Sequence, residues 1–219
     1  MRRKMIFYIG FFVVLFVVFY VTLTKIIPGY GDVKLPVLNE VQPFFFTDQD
    51  GRMISQKDVA GKVYVAEYFF TTCKGICPKL NNNMKGIYTD FKDEPDFRIL
   101  SHTVDPETDD VARMKWYADS MHADSKTWLF LTGEKDSLYH AARVSYLLDD
   151  PKNNDEDINK QFIHTQFFAL VDKNGEVRKI ADGLKKDEIA ELKTDIEKLL
   201  KEKPGVNHFS SPLNGNNVH

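Results

Sequence analysis

One short stretch, "KVYVAEYFFTTCKGICPKL", joins an apolar run directly to two cysteines and then to a helical pattern. Residues 62–70 are nearly all apolar, β-branched or aromatic, which is typical of a strand buried on both faces of a sheet. Leu80, Met84, Ile87 and Phe91 then recur at helical spacing. A buried strand that runs straight into an amphipathic helix predicts an α/β sheet, with the turn between them at the edge where such sheets usually place sites.

The alternation of strands and helices continues along the chain. We predict a hairpin over residues 44–54 that turns at Asp50–Gly51, and a second over 166–183 that turns at Asn174–Gly175. Further strands are predicted at 97–105 and 127–133, and further helices at 106–121, 134–148 and 185–203. Pro106 suits the first turn of the helix that it begins. Together these elements predict a central mixed sheet flanked by helices, because the last hairpin adds antiparallel strands.

The first residues of the chain differ from the rest. Residues 5–24 carry no charge, and 20 residues at ~1.5 Å each reach ~30 Å, the thickness of the hydrocarbon part of a bilayer. A cleaved signal peptide would have a shorter apolar region that ends in a small-x-small site, and this run has no such site. No cysteine stands beside the run for lipid attachment. We therefore predict an uncleaved transmembrane helix within an N-terminal membrane anchor, residues 1–30.

Three basic residues, Arg2, Arg3 and Lys4, precede the apolar run. The positive-inside rule then predicts a cytoplasmic N-terminus and a C-terminal domain outside the membrane. No separate transit peptide precedes the run, which favours a bacterial inner membrane with the domain on the periplasmic side.

The remaining chain has the size of one ordinary domain, which we assign to residues 31–203. Residues 204–219 are expected to form a disordered tail. The formal net charge is −3 and no basic block follows the anchor, so nucleic acid is not an expected partner. The polar, acidic segment 149–161 predicts a mobile loop just before His164.

The chain has only two cysteines, Cys73 and Cys77, four residues apart. Residues at this spacing share one face once the chain turns helical, and a helix N-terminus favours thiolates. A disulfide between them would close a very small loop and so gain little chain entropy. Structural zinc usually needs four protein ligands, and thioredoxin-like redox pairs are spaced Cys-x-x-Cys. Two thiolates and one imidazole suit monovalent copper, which is the favoured interpretation, while a disulfide or a redox pair remains open.

A third ligand would come from one of six histidines. His164 is the best candidate, because it follows the acidic loop and opens a strand, so that it could swing over the cysteines. His102 lies in the predicted strand at 97–105, where a histidine is more often packed than ligating.

Three segments in order, together with the anchor, resemble the Sco (SenC) family of membrane-anchored copper chaperones. "FFTTCKGICPKLNNNM" is similar to that family's strand and Cys-x-x-x-Cys-Pro motif. "VDPETDD" is similar to its Asp-Pro-x-x-Asp motif, here Asp105, Pro106 and Asp109. "IHTQFFALVDKNGEV" is similar to the segment with a histidine before its late hairpin, here His164. The resemblance covers nearly the whole chain after the anchor.

This resemblance implies a thioredoxin-like fold and a chaperone that binds copper, as Cu(I) or Cu(II), through Cys73, Cys77 and His164. It implies delivery of that copper to the dinuclear copper A site of cytochrome c oxidase, so the copper A subunit is the expected partner. Asp105, Asp109 and His102 are candidates for residues that surround the ligands. Helix capping at Pro106 is an equal alternative for the two aspartates.

Two enzymatic functions compete with the chaperone. A thiol-disulfide reductase would keep the oxidase cysteines reduced for metal loading, with one of Cys73 and Cys77 attacking and the other resolving into a disulfide. A peroxiredoxin-like peroxidase ranks third, because no arginine stands near the cysteines in the sequence to lower the pKa of a thiol.

Overall fold

The computed structural model describes residues 2–26, 34–155, 157–158 and 161–205. The chain forms two compact units, Met1–Leu35 and Pro36–His219. The first unit contains helix α1 (Arg2–Ile26), in which Lys4–Thr22 is long and apolar enough to cross a membrane. By length and composition this helix fits the predicted anchor, and it would equally fit a signal sequence near an N-terminus.

A mixed sheet organises the second unit. Its strands within the described residues are β1 (Asn39–Glu40), β2 (Phe45–Asp48), β3 (Met53–Ser55), β4 (Val63–Phe69), β5 (Phe97–Thr103), β6 (Trp128–Thr132), β7 (Phe167–Val171) and β8 (Glu176–Asp182). They lie in the order β1-β8-β7-β4-β5-β6-β2-β3. The pairs β4–β5 and β5–β6 are parallel and the remaining pairs are antiparallel. This mixed sheet with flanking helices confirms the predicted architecture.

Strand β4 lies in the middle of the sheet. All seven of its residues are buried, as expected for a β-branched and aromatic run with strands on both sides. Its last residue, Phe69, pairs with Thr103 at the end of β5. The cysteine segment therefore leaves the sheet at its centre, at the carboxyl edge of two parallel strands.

Helices cover both faces of this sheet. They are α2 (Cys77–Phe91), α3 (Val111–Met121), α4 (Lys135–His140), which continues into a π-helical turn at Ala141–Ser145, and α5 (Lys186–Lys201). On one face Tyr68 of β4 packs in a core with Leu138 and Tyr139 of α4. On the other face, Phe69 contacts Tyr117 of α3, with ring centroids 5.2 Å apart.

The helix predicted at residues 106–121 begins later than expected. We predicted a start at Pro106, but α3 begins at Val111. The N–H groups of Thr108 and Asp109 donate to the carbonyl of Asp105, which forms a separate turn. Asp110 then has an extended backbone (ψ 175°), and its carboxylate accepts from the N–H of Arg113 at 2.8 Å. Asp110 is therefore the N-cap, because its extended backbone separates the turn from the helix.

The two predicted hairpins are present as β2–β3 and β7–β8. Gly175 closes the second with φ +83°, a value that suits glycine. Near the end of the chain, Gly205 N–H donates to Asn174 Oδ1 at 2.7 Å. The predicted disordered tail otherwise falls on residues 206–219, which lie outside the described residues.

Candidate metal centre

The two cysteines lie on the turn between β4 and α2. Cys73 is half-buried, and its N–H donates to the carbonyl of Phe70 at 3.2 Å. Cys77 is buried, is the first residue of α2 and is followed by Pro78 in the first helical turn. Both thiols are free in this structure. The predicted strand, cysteine and helix arrangement is therefore present, while the predicted disulfide stays a prediction.

The two thiols differ in their acidity. Burial acts to raise the pKa of Cys73, but hydrogen bonds from the Cys77 side chain and from the N–H groups of Cys77, Gly75 and Ile76 lower it below its ordinary value. For Cys77, burial and the hydrogen bond to Cys73 raise the pKa to about 12. Cys73 is the thiol that more readily becomes a thiolate, and Cys77 holds its proton towards it.

His164 lies in the segment just before β7, and its side chain is exposed. Its ring packs on Phe162, with centroids 4.9 Å apart. Phe162 in turn meets Phe70 edge to face, also at 4.9 Å. An aromatic path therefore joins the histidine to the residue that precedes the cysteine turn.

The structure does not assemble the predicted ligand set in one place. Within the described ranges, no three His, Cys, Asp or Glu side chains are arranged to hold a metal ion. Ligation by Cys73, Cys77 and His164 would require the histidine segment to move towards the thiols. Ligation by these three residues therefore stays a prediction.

The loop predicted to be mobile is anchored at both ends. Arg143 Nε donates to Asp149 at 2.7 Å, and its Nη2 donates to Gln161 Oε1 at 2.6 Å. Between them, Pro151–Asp155 forms a 3₁₀ turn. Residues 156, 159 and 160 lie outside the described residues, and the mobility of the loop stays a prediction.

The two aspartates of the Asp-Pro-x-x-Asp motif have different surroundings. Asp109 is fully buried, and its carboxylate accepts hydrogen bonds from Thr71 and Thr103. Asp105 is half-buried and donates its N–H to Thr103 Oγ1 at 2.9 Å. Neither caps α3, since Asp110 does so, and the capping alternative at Pro106 is therefore wrong for both.

His102 is a packed histidine. It is fully buried on β5, stacked on Tyr68 at 4.9 Å and in edge contact with Phe46 at 5.4 Å. Its Nδ1 lies 3.3 Å from the carbonyl of Glu67. Burial lowers the pKa of His102 to about 4, so the ring is neutral at physiological pH.

Two charged residues near the cysteines were not singled out by the sequence analysis. Glu67 is buried on β4, accepts from Ser101 at 2.6 Å, and its charge contributes to the raised pKa of Cys77. The charge inside an otherwise apolar run was a visible signal for it. Arg113 donates from Nε to Thr71 Oγ1 at 2.9 Å, so an arginine does stand beside the cysteine turn. No sequence signal marks that contact, because α3 and the turn are 42 residues apart.

Known proteins resemble this chain in sequence and in fold. The SCO1 protein homolog of Bacillus subtilis is 33% identical over 171 residues, which is 77% of this chain and 87% of that protein. A SCO1/SenC family lipoprotein from Bacillus anthracis has a crystal structure that is 30% identical, with a TM-score of 0.66, covering 77% of this chain and all of the other.

Two further structures bear on the chemistry of the relatives. BsSco, described as a member of the Sco family of cytochrome c oxidase assembly proteins with a disulfide switch, is 32% identical, with a TM-score of 0.65 over 78% of this chain and all of its own. ScoI of Bradyrhizobium japonicum was solved with copper bound; it is 23% identical, with a TM-score of 0.57 over 73% of this chain and 99% of its own.

The likeness extends over most of the sheet-containing unit and confirms the predicted thioredoxin-like fold class. The model of the SCO1/SenC family matches residues 35–201, which include the cysteine turn, the Asp-Pro-x-x-Asp segment and His164. The chain belongs to the SCO1/SenC family.

Proposed function

We propose that this chain is a membrane-anchored copper chaperone, which binds copper through Cys73, Cys77 and His164 and passes it to the copper A subunit of cytochrome c oxidase. The family takes part in copper handling during assembly of that oxidase. Copper is the cargo of the protein, held as Cu(I) or Cu(II).

The observation that carries the proposal is the pair of thiols at the start of α2. The Cys77 side chain hydrogen bonds to Cys73, so the two sulfurs lie close together at the start of α2. Soft thiolate ligands favour copper over harder cations, and a third ligand from an exposed imidazole would complete a trigonal site. His164 is exposed and connects to the turn through Phe162 and Phe70, which supports its choice as that ligand.

The unequal exposure of the two sulfurs supports transfer. A site with two protein sulfurs and one exposed imidazole can release the imidazole first, which opens a position for a thiolate of the acceptor. Cys73 is the more exposed sulfur and Cys77 the buried one, so the metal would leave Cys77 last. The copper passes by ligand exchange, with no turnover of a substrate.

The test is a transfer experiment with the full chain in mild detergent. The copper-loaded chain is mixed with the metal-free copper A domain of an oxidase, and the two are separated and assayed for copper. We expect the copper to appear on the acceptor from the wild type and not from Cys73→Ser. Retention of copper by the wild-type chain in the presence of a fully reduced acceptor would contradict delivery.

A second function, thiol-disulfide reduction of the oxidase cysteines, is favoured by the unequal acidity of the pair. Cys73 has a lowered pKa and partial exposure, as an attacking thiol requires, while the buried Cys77 sits where a resolving thiol would. Rapid reduction of a model peptide disulfide by the metal-free protein would favour this role. A peroxidase would need an arginine close to the reactive thiol. Arg113 stands beside the turn, but the contact that it makes there is with Thr71 and not with either sulfur.

We further propose that α1 anchors the protein with its N-terminus in the cytoplasm and the domain outside, in a bacterial inner membrane. The basic residues Arg2, Arg3 and Lys4 before the span support that orientation. A reporter that is active only outside the cytoplasm should be active when fused to the C-terminus. Activity of a strictly cytoplasmic reporter at that position, or release of the domain by cleavage, would contradict the anchor.

A further inference from the structure

Thr71 lies two residues beyond β4 and two residues before Cys73, and it is held by hydrogen bonds with two residues, Asp109 and Arg113. Its N–H donates to Asp109 Oδ2 at 3.1 Å, and its hydroxyl donates to Asp109 Oδ1. In addition, Arg113 Nε donates to Thr71 Oγ1 at 2.9 Å. The Thr71 hydroxyl therefore uses its donor and one acceptor position at once.

Asp109 is a fully buried carboxylate, and it binds the ends of two strands together. Besides the two bonds from Thr71, its Oδ2 accepts from Thr103 Oγ1 at 2.6 Å. Thr103 is the last residue of β5, and Asp105 N–H donates to the same hydroxyl. Three donors compensate the carboxylate for its loss of water, and such charge-assisted bonds are stronger than neutral ones.

These contacts are not needed to close the sheet. The β4–β5 ladder already extends to the pair Phe69 and Thr103, and Val104 N–H donates to the carbonyl of Phe69 at 2.9 Å. The bonds to Thr71 lie past the end of that ladder, on the segment that continues into the cysteine turn. After Thr71, residues Thr72, Lys74, Gly75 and Ile76 are exposed, so little packing holds the turn from outside.

We propose that Asp109 and Arg113 are positioning residues, which fix Thr71 and thereby set the place of Cys73 relative to Cys77. We call Thr71, Thr103, Asp109 and Arg113 the Thr71 clamp. Its effect on copper rests on the proposed function, whereas its effect on the two thiols does not. Residues that orient metal ligands without touching the metal affect affinity strongly, typically by 10-fold to about 100-fold.

The clamp can be tested through the thiols alone. With the full chain in detergent, the Cys73–Cys77 disulfide is equilibrated against glutathione: two glutathione thiols reduce it to the dithiol and leave as oxidised glutathione. The position of this equilibrium reports how well the fold holds the two sulfurs together. Copper affinity is measured in parallel by competition with a Cu(I) chelator.

Asp109→Asn replaces an acceptor oxygen by an amide nitrogen, so at least one of the three donors loses its partner. The matched control is Asp48→Asn. Asp48 is also a fully buried aspartate, and it accepts from Asp50 N–H at 2.9 Å and from Arg52 N–H at 2.8 Å. It lies on β2, which β5 and β6 separate from β4. Both variants should lose thermal stability, because each disturbs a buried carboxylate.

We expect Asp109→Asn to shift the glutathione equilibrium about tenfold towards the dithiol and to weaken copper binding about tenfold. Asp48→Asn should shift neither. Thr71→Val, which removes the hydroxyl, should cause the same two shifts as Asp109→Asn. Thr71→Ser, which keeps the hydroxyl, should behave nearly like the wild type. Arg113→Met should give a smaller shift in the same direction, because it removes only one donor.

The clamp is refuted if Asp109→Asn and Thr71→Val match Asp48→Asn in the thiol equilibrium. If Asp109→Asn fails to fold, Thr71→Val is compared with Thr71→Ser, and equal thiol equilibria in these two variants refute the clamp. Absence of copper binding by the wild type would overturn the proposed function, and the thiol equilibrium would still decide whether the clamp exists.

Discussion

Phe162 meets Phe70 edge to face, with ring centroids 4.9 Å apart, and this contact joins the histidine segment to the cysteine turn. Phe162 also packs on His164. Two ring contacts thus link the histidine to the residue that precedes the cysteine turn. Phe162 keeps 41% of its surface exposed, so the contact can rearrange without opening the core.

The substitution Phe162→Leu should weaken copper binding about tenfold while leaving both thiols free to bind. The smaller side chain cannot span the distance to Phe70 and His164, so the imidazole is recruited at a higher entropic cost. Chelator competition gives the affinity, and the spectrum of the Cu(II) form reports loss of the nitrogen ligand.

Phe167→Leu is the control for that change. Phe167 is exposed to nearly the same extent, 43%, and stands three residues after His164, at the start of β7. Its substitution should leave copper affinity unchanged. Equal losses in the two variants would show that general loosening of the segment, rather than the aromatic path, sets the affinity.

Two buried groups should give the stability of the fold opposite responses to pH. Burial raises the pKa of Glu67 from 4.5 to about 7. The contribution of Glu67 to the free energy of unfolding is fully present below pH 4.5. It falls by roughly 3 kcal/mol as the pH rises through 7. Burial lowers the pKa of His102 from 6.5 to about 4. The contribution of His102 to the free energy of unfolding is fully present above pH 6.5. It falls by a similar amount as the pH falls through 4.

Between these limits the two contributions oppose each other in the wild type, and single substitutions should separate them. Relative to the wild type, Glu67→Gln should gain about 3 kcal/mol as the pH rises from 4.5 to about 8. His102→Phe should gain a similar amount relative to the wild type as the pH falls from about 7 to about 4. Urea unfolding followed by tryptophan fluorescence measures both differences. A difference that does not change with pH would contradict the protonation states assigned to these side chains.

The oxidation state of the cysteines should decide whether copper binds. A disulfide's sulfurs are poor ligands, whereas thiolates bind copper well. The Cys77 side chain hydrogen bonds to Cys73, so the two sulfurs are close enough to join with small movements. The oxidised chain should therefore take up little Cu(I) without a reductant, and the reduced, repurified chain should take up one equivalent. Equal uptake by the two samples would rule out a switch of this kind.

The centre of the fold could be predicted from the sequence because its signals are local. The run at 62–70 became β4, and the turn and helix after it lie where the apolar spacing indicated. The start of α3 could not be predicted in the same way. Pro106 suits a helix, but the turn that ends at Asp109 and the extended backbone of Asp110 depend on contacts with Thr71 and Thr103.

The site was predictable in its residues and not in its assembly. Cysteine spacing and family resemblance identified the thiols, since both lie on one short segment. The Thr71 clamp joins residues from β5, from α3 and from the turns before α2 and α3, and the distance between His164 and the thiols depends on how the segment before β7 packs. Side chains that meet only after the sheet has formed leave no periodic signal in the sequence.

The most direct test of the account is X-ray absorption at the copper edge, recorded on the reduced full chain loaded with one equivalent of copper. We predict two sulfur neighbours and one nitrogen neighbour for the wild type. His164→Ala should lose the nitrogen and keep both sulfurs, while His140→Ala, which alters an exposed histidine on α4, should match the wild type. Copper without sulfur neighbours, or full copper affinity in a chain with both Cys73 and Cys77 replaced by serine, would contradict the account.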